Sequence, residues 1–180
     1  MTPEEIEKLI QSRNGRERFL ATTVANLTKD QLFRLATDDD LAVRTAALKN
    51  DKIDSEILGK IYKTGTYYRF EIALDHRLTK EMIQDLVEDP QWEVRQLVAE
   101  RPDLTQQQIG RLMADPHISV RMSLAHNPIL LPQHIDVMIE NDENTILMIL
   151  TRHKNTTIDQ LIRLGSNEEE CVRDAALERL

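Results

Sequence analysis

The sequence predicts an all-α solenoid of about seven two-helix repeats, and three observations carry that expectation: a 26-residue period, capping boxes at one phase of it, and Asp-Pro turns at another. "DPQWEVRQLVAERPDLT" (89–105) returns 26 residues later as "DPHISVRMSLAHNPILL" (115–131). The place held by arginine in Val-Arg is occupied by Arg18, Arg44, Arg69, Arg95, Arg121, Leu147 and Arg173, at steps of 26, 25, 26, 26, 26 and 26. A second series, Thr2, Thr28, Asp54, Thr79, Thr105, Leu131 and Thr157, also has a single 25-residue step, in the copy that contains "TGTYYRFE" (64–71). Residues 1–180 therefore read as a single domain of stacked repeats.

The first helix of each copy opens at the Thr/Asp series. Thr28/Gln31, Thr105/Gln108 and Thr157/Gln160 place a hydroxyl at the cap and an amide three residues on, which is a capping box. Leu27 and Leu104 precede their caps and are spaced to clip onto Leu32 and Ile109. The second helix is expected to open at Asp89-Pro90 and Asp115-Pro116, with aspartate as cap and proline in the first turn. Its core set is the residue before the arginine and those three and four beyond that residue: Val94, Leu97, Val98; Ile146, Ile149, Leu150; Val172, Ala175, Ala176. "ERP" and "HNP" end it, because proline cannot continue a helix. One such pair cannot bury both faces, whereas stacked copies can.

Composition narrows the function classes. With 41% hydrophobic residues the chain can fill a core unaided, and the lone Cys171 leaves no intramolecular disulfide and no cysteine-rich metal centre. A reducing, cytoplasmic location is expected. "MTPEEIEKLI" has neither the basic start nor the apolar run of a signal peptide, and no membrane partner is expected. Thirty-one acidic against 23 basic residues, a net charge of -8, argue against whole-surface attraction to nucleic acid. No His-x-x-x-His pair and no glycine-rich phosphate loop occurs, so neither an enzyme nor a cofactor is expected.

Val-Arg, a small apolar pair, Asn-Pro, and then Leu-Pro or Leu-Thr before a periodic helix resembles the leucine-rich repeat variant, and more broadly the HEAT and armadillo class. The resemblance implies a stack of helix pairs whose usual work is binding other macromolecules. The variant repeat was first known beside an iron-sulfur cluster, and the cysteines for one are absent here.

Four features are candidates for function. The arginine ladder could grip carboxylate or phosphate, since a guanidinium binds either with a two-pronged fork. Its structural alternative is internal pairing, as Asp38, Asp89 and Asp115 lie six residues before Arg44, Arg95 and Arg121, and Asn141 stands there where the arginine is Leu147. The acidic turns "TDDDLA", "EDPQWE", "ENDENT" and "SNEEEC" could meet a basic partner or imitate nucleic acid; otherwise they complement helix dipoles. "TGTYYRFE" places Tyr68 on a core position and Tyr67 and Phe70 off it, as anchors for a partner or as filling for the deletion. Trp92 is expected beside it. In "NTILMILTRHKN" (144–155), Leu147 and Met148 extend an apolar run whose cover is a dimer partner, another protein or the last repeat, with the internal cover favoured.

These readings combine into a non-catalytic scaffold or adaptor that binds another protein, with Tyr67, Phe70 and Trp92 as anchors and Arg69, Arg95 and Arg121 as adjacent charge pairs. The alternative is nucleic-acid binding through the arginine stripe, in the manner of HEAT-like DNA-binding proteins and DNA glycosylases, or nucleic-acid mimicry by the acidic edge.

Overall fold

A computed structural model describes all 180 residues, which form fourteen helices and no strand. The first helices are α1 (Pro3–Ile10), α3 (Lys29–Ala36), α5 (Ser55–Thr64), α7 (Lys80–Val87), α9 (Gln106–Met113), α11 (Pro132–Asn141) and α13 (Ile158–Leu164). The second helices are α2 (Gly15–Thr22), α4 (Leu41–Leu48), α6 (Thr66–Ile72), α8 (Trp92–Ala99), α10 (Ile118–His126), α12 (Asn144–Arg152) and α14 (Glu170–Leu177). Two compact units are present, Met1–Met82 and Ile83–Leu180. In the first, α1 packs on α2, α3 on α4 and α5 on α6, with α1, α3 and α5 in succession and α2 against α4; in the second, α9 packs on α10, α11 on α12 and α13 on α14, with α8, α10, α12 and α14 in succession.

The expected caps of the first helices are in place. Thr2, Thr28, Thr105 and Thr157 accept from the amide three residues on, and Glu5, Gln31, Gln108 and Gln160 return the bond. Leu27, Leu104, Leu32 and Ile109 are all buried. The second helices start two residues later than the Asp-Pro reading expects: α8 is capped by Gln91 and α10 by His117. Asp89 and Asp115 instead accept from the amides of Gln91 and His117, at 2.9 Å each. Each aspartate thus closes a turn of its own before the helix begins, a conformation that its short side chain stabilises locally.

The second-helix core is as expected at Val172, Ala175 and Ala176, all buried, and differs in one position in the other two copies. Val94, Val98 and Ala99 are buried, as are Ile146, Leu150 and Thr151, whereas Leu97 and Ile149 are half-buried. In four copies the place four beyond the arginine position, held by Ala73, Ala99, Ala125 and Thr151, lies fully inside. Small side chains there let neighbouring helices approach closely, a reason that a count of large apolar residues overlooks.

At the closing turns a second set of bonds joins successive copies. Arg77 donates to the carbonyls of Leu48, Asn50 and Ile53 and pairs with Asp75. Asn127 Nδ2 donates to the carbonyls of Ala99 and Arg101, both at 2.7 Å, and Asn155 Nδ2 reaches Leu130 O at 2.7 Å. These side chains satisfy helix-end carbonyls that would otherwise be buried without donors. His153 belongs to the same set: Nε2 donates to Asn127 O at 3.1 Å and Nδ1 accepts from Asn155 N, which fixes the neutral tautomer. On the first-helix side, His134 Nε2 donates to Gln106 Oε1 at 2.6 Å while Nδ1 accepts from Leu131 N.

Burial lowers the pKa of both His134 and His153 below the usual 6.5. A group whose folded pKa is depressed adds stability above its unfolded value and loses it as pH falls toward the folded one. The urea midpoint is therefore expected to fall as pH drops below about 6.5. A His134→Gln/His153→Gln double variant should flatten that limb of the profile; an unchanged slope between pH 6.5 and 5 would count against these two imidazoles as its source.

Candidate functional site

Each arginine of the ladder begins as one exposed-looking position on a helix and ends inside a network. Arg18 donates through Nε and Nη2 to Asp38, at 2.7 and 2.9 Å, and through Nη1 to Ser12 O at 2.9 Å. Arg95 does the same on Asp115, at 2.6 and 2.9 Å, and on Asp89 O at 2.7 Å. Arg121 reaches Asp142 at 2.7 Å, Glu143 at 3.0 Å and Asp115 O at 2.8 Å. Every one of these guanidiniums takes a carbonyl from the turn before its own helix and a carboxylate from the turn of the following copy.

The pairing expected from the six-residue spacing is thereby corrected. Asp38, Asp89 and Asp115 give the arginine six residues on only their backbone oxygen. The carboxylates of Asp38 and Asp115 serve the preceding copy. Leu147 consequently has its counterpart one copy later, where Asn167 stands without a carboxylate, and Arg121 keeps an acid in Asp142.

The fork shapes the electrostatics. Burial pushes Asp38 and Asp115 toward the neutral form, but the guanidinium and a turn amide together hold both below the usual carboxylate range. Arg18, Arg95 and Arg121 are raised, chiefly by the same hydrogen bonds. Bidentate, charge-assisted bonds of this kind are about twice as strong as neutral ones.

In "TGTYYRFE" no aspartate is available to Arg44, whose residue is only 4% exposed. Its guanidinium instead bonds both oxygens of Glu71 at 3.0 Å, Asp38 O at 2.5 Å and the Tyr67 hydroxyl, and lies 4.7 Å from the centroid of the Tyr67 ring. Tyr67 and Glu71, four residues apart on α6, replace the carboxylate that the shortened turn lacks. Tyr68 is half-buried, donates to Thr37 O at 3.2 Å and meets Tyr67 edge-on. The aromatic cluster thus repairs the ladder at its polar tips. Its apolar bodies stay outside: Tyr67 is 56% and Phe70 46% exposed.

The remaining candidates divide. Arg69 donates to Thr66 Oγ1 at 2.9 Å, with its guanidinium 5.8 Å from the Tyr62 ring centroid. Trp92, in the second unit, is half-buried and stacks on His117 at 3.9 Å between ring centroids. Leu147 is buried and Met148 half-buried.

Sequence reasoning missed Phe19 and Leu41, which are 44% and 59% exposed and line one groove between α2 and α4 together with Thr45. Phe19, Thr45 and Phe70 each follow a ladder arginine, and Leu41 sits one turn before Thr45 on the same helix face. Tabulating the residue after each arginine would have exposed this row.

Residues 92–117 match the family model of the leucine rich repeat variant. A solved structure described as "a leucine-rich repeat variant with a novel repetitive protein structural motif" superposes with a TM-score of 0.74, over all of this chain and 72% of that one, at 23% identity. The fold is that of a leucine-rich repeat variant. No curated protein matches the chain. As in the resemblance read from Val-Arg and Asn-Pro, the leucine-rich repeat variant fold here is built wholly from helices, and none of them is long and apolar enough to cross a membrane.

Proposed function

We propose that this chain is a non-catalytic scaffold that binds another protein through the exposed face of its second helices in residues 1–82. The observation that carries the proposal is the set of exposed apolar side chains on these helices: Phe19 and Phe70 at equivalent positions, Leu41 one turn before the equivalent Thr45, and Tyr67. Large apolar groups gathered on one face serve as anchors when a partner desolvates them. Arg18 and Arg44 border this row, and their forks are already engaged by Asp38 and by Glu71. The reading through phosphate contacts loses its grip for the same reason, because the guanidiniums that would neutralise a nucleic-acid backbone are held by carboxylates of the chain itself.

The test is capture from cell lysate with the full chain and with a Leu41→Glu/Phe70→Glu variant, with and without nuclease, at two salt concentrations. Substitutions at such exposed positions are expected to change stability by no more than about 0.5 kcal/mol. A protein captured by the parent chain after nuclease treatment and lost by the variant is the expected result. Recovery of nucleic acid that disappears at high salt, or a captured protein indifferent to the variant, would overturn it.

A further inference from the structure

Away from that face, the second unit carries a cleft of about 350 Å³ between the C-terminal ends of α10 and α12, lined by Ala125, His126, Pro128, Met148, Ile149 and the segment 152–154. Its floor is apolar and its rim is basic. His126, Arg152 and Lys154 are exposed, and no ion pair engages any of them. His153, in contrast, is buried, with both ring nitrogens committed to Asn127 O and Asn155 N. It forms a neutral wall, while Arg152 and Lys154 supply free positive charge in a chain of net charge -8.

Basic residues near a helix C-terminus often do no more than complement its dipole. The other copies show that this fold does not require them there. The position of Arg152 is held by Glu100 in α8's copy and by Glu178 in α14's copy, and that of Lys154 by Asp51 in α4's copy. Lys49 stands at the Arg152 position in α4's copy, but only here do an arginine and a lysine occupy the two positions together.

We propose that the cleft takes an acidic segment of a partner protein, with a carboxylate held by Arg152 and Lys154 and a neighbouring aliphatic side chain seated on Met148 and Ile149. Charge complementarity selects the acid, and the apolar floor selects a peptide over a phosphate backbone, which has no aliphatic group to place there. This site is independent of the Phe19, Leu41 and Phe70 face and can fail or stand without it.

The test titrates the full chain, labelled for amide NMR, with a synthetic peptide of alternating glutamate and leucine. The expected result is saturable shifts at residues 125–127 and 148–154, with a dissociation constant raised about tenfold or more by the Arg152→Gln/Lys154→Gln double variant. A peptide with lysine in place of glutamate should leave the amides of the cleft unshifted. Both substituted positions are exposed, and an unaltered melting curve verifies the variant's fold. The proposal is overturned if no shifts occur, if they lie elsewhere, or if the variant binds as the parent does. It is equally overturned if an oligonucleotide of the same charge moves the same amides at least as tightly.

Discussion

Replacing Asp115 by alanine is expected to destabilise the chain by about 3 kcal/mol, because it leaves the Arg95 guanidinium buried without its counter-charge. The side chains of this pair are 12% and 5% exposed, so water cannot take over the lost contacts. Removing both charges should cost far less: an Arg95→Leu/Asp115→Asn double variant is expected to recover most of the loss, since the desolvation penalty disappears with the pair. The chain already contains that combination, with Leu147 and, one copy later, Asn167. Urea denaturation of Arg95→Leu, of Asp115→Asn and of the double gives the coupling directly. If the double variant were as unstable as the sum of the singles, the pairing across copies would be energetically irrelevant. Acid should act on the same element. Because Asp38 and Asp115 are held below the ordinary carboxylate value of 3.8, their contribution is complete above that pH and is lost as pH falls through their lower folded values.

The second large effect is expected at Asn127. Asparagine is 3% exposed there and its amide donates to two carbonyls of the preceding turn, Ala99 O and Arg101 O. Asn127→Ala removes both donors and should cost about 2 kcal/mol. Asn127→Asp should cost more, about 4 kcal/mol at neutral pH, because a buried carboxylate would then face two carbonyl oxygens. The aspartate variant has a signature that alanine lacks: lowering the pH protonates it and restores one donor, narrowing its deficit relative to the parent. Urea midpoints at pH 7 and pH 5, with amide exchange across the turn at 99–102, measure both. Equal costs for the two variants, independent of pH, would show that the clamp acts by shape alone.

The elements legible in the sequence were those whose signal is local. A threonine and a glutamine three residues apart specify a capping box within one turn, and Thr28/Gln31, Thr105/Gln108 and Thr157/Gln160 each form one. The partner of each ladder arginine was not legible in the same way. Asp89 lies six residues before Arg95 in the chain, yet the carboxylate that Arg95 holds comes from Asp115, twenty residues ahead, because stacking brings the next turn over the guanidinium. The late start of α8 and α10 has a local origin instead: the aspartate before each helix is folded into a turn of its own. At "TGTYYRFE" Tyr67 repairs the ladder with its hydroxyl while its ring stays exposed, and only the placement of Arg44 reveals the first of these.

The offset of the ladder by one copy bears on how such an array can change its length. Arg18, Arg95 and Arg121 each reach forward to an aspartate of the following turn, so excising a whole period between such copies rejoins matching halves. Deleting residues 96–121 would set Arg95 at the same separation from Asp142 that Arg121 has now. Recombination between copies therefore preserves charge balance at the new junction wherever it cuts in phase. Point mutation does not: a change at either member strands the other until a second change, some twenty residues away, meets it. A lineage of such chains can gain and lose units freely while its individual arginines stay hard to replace.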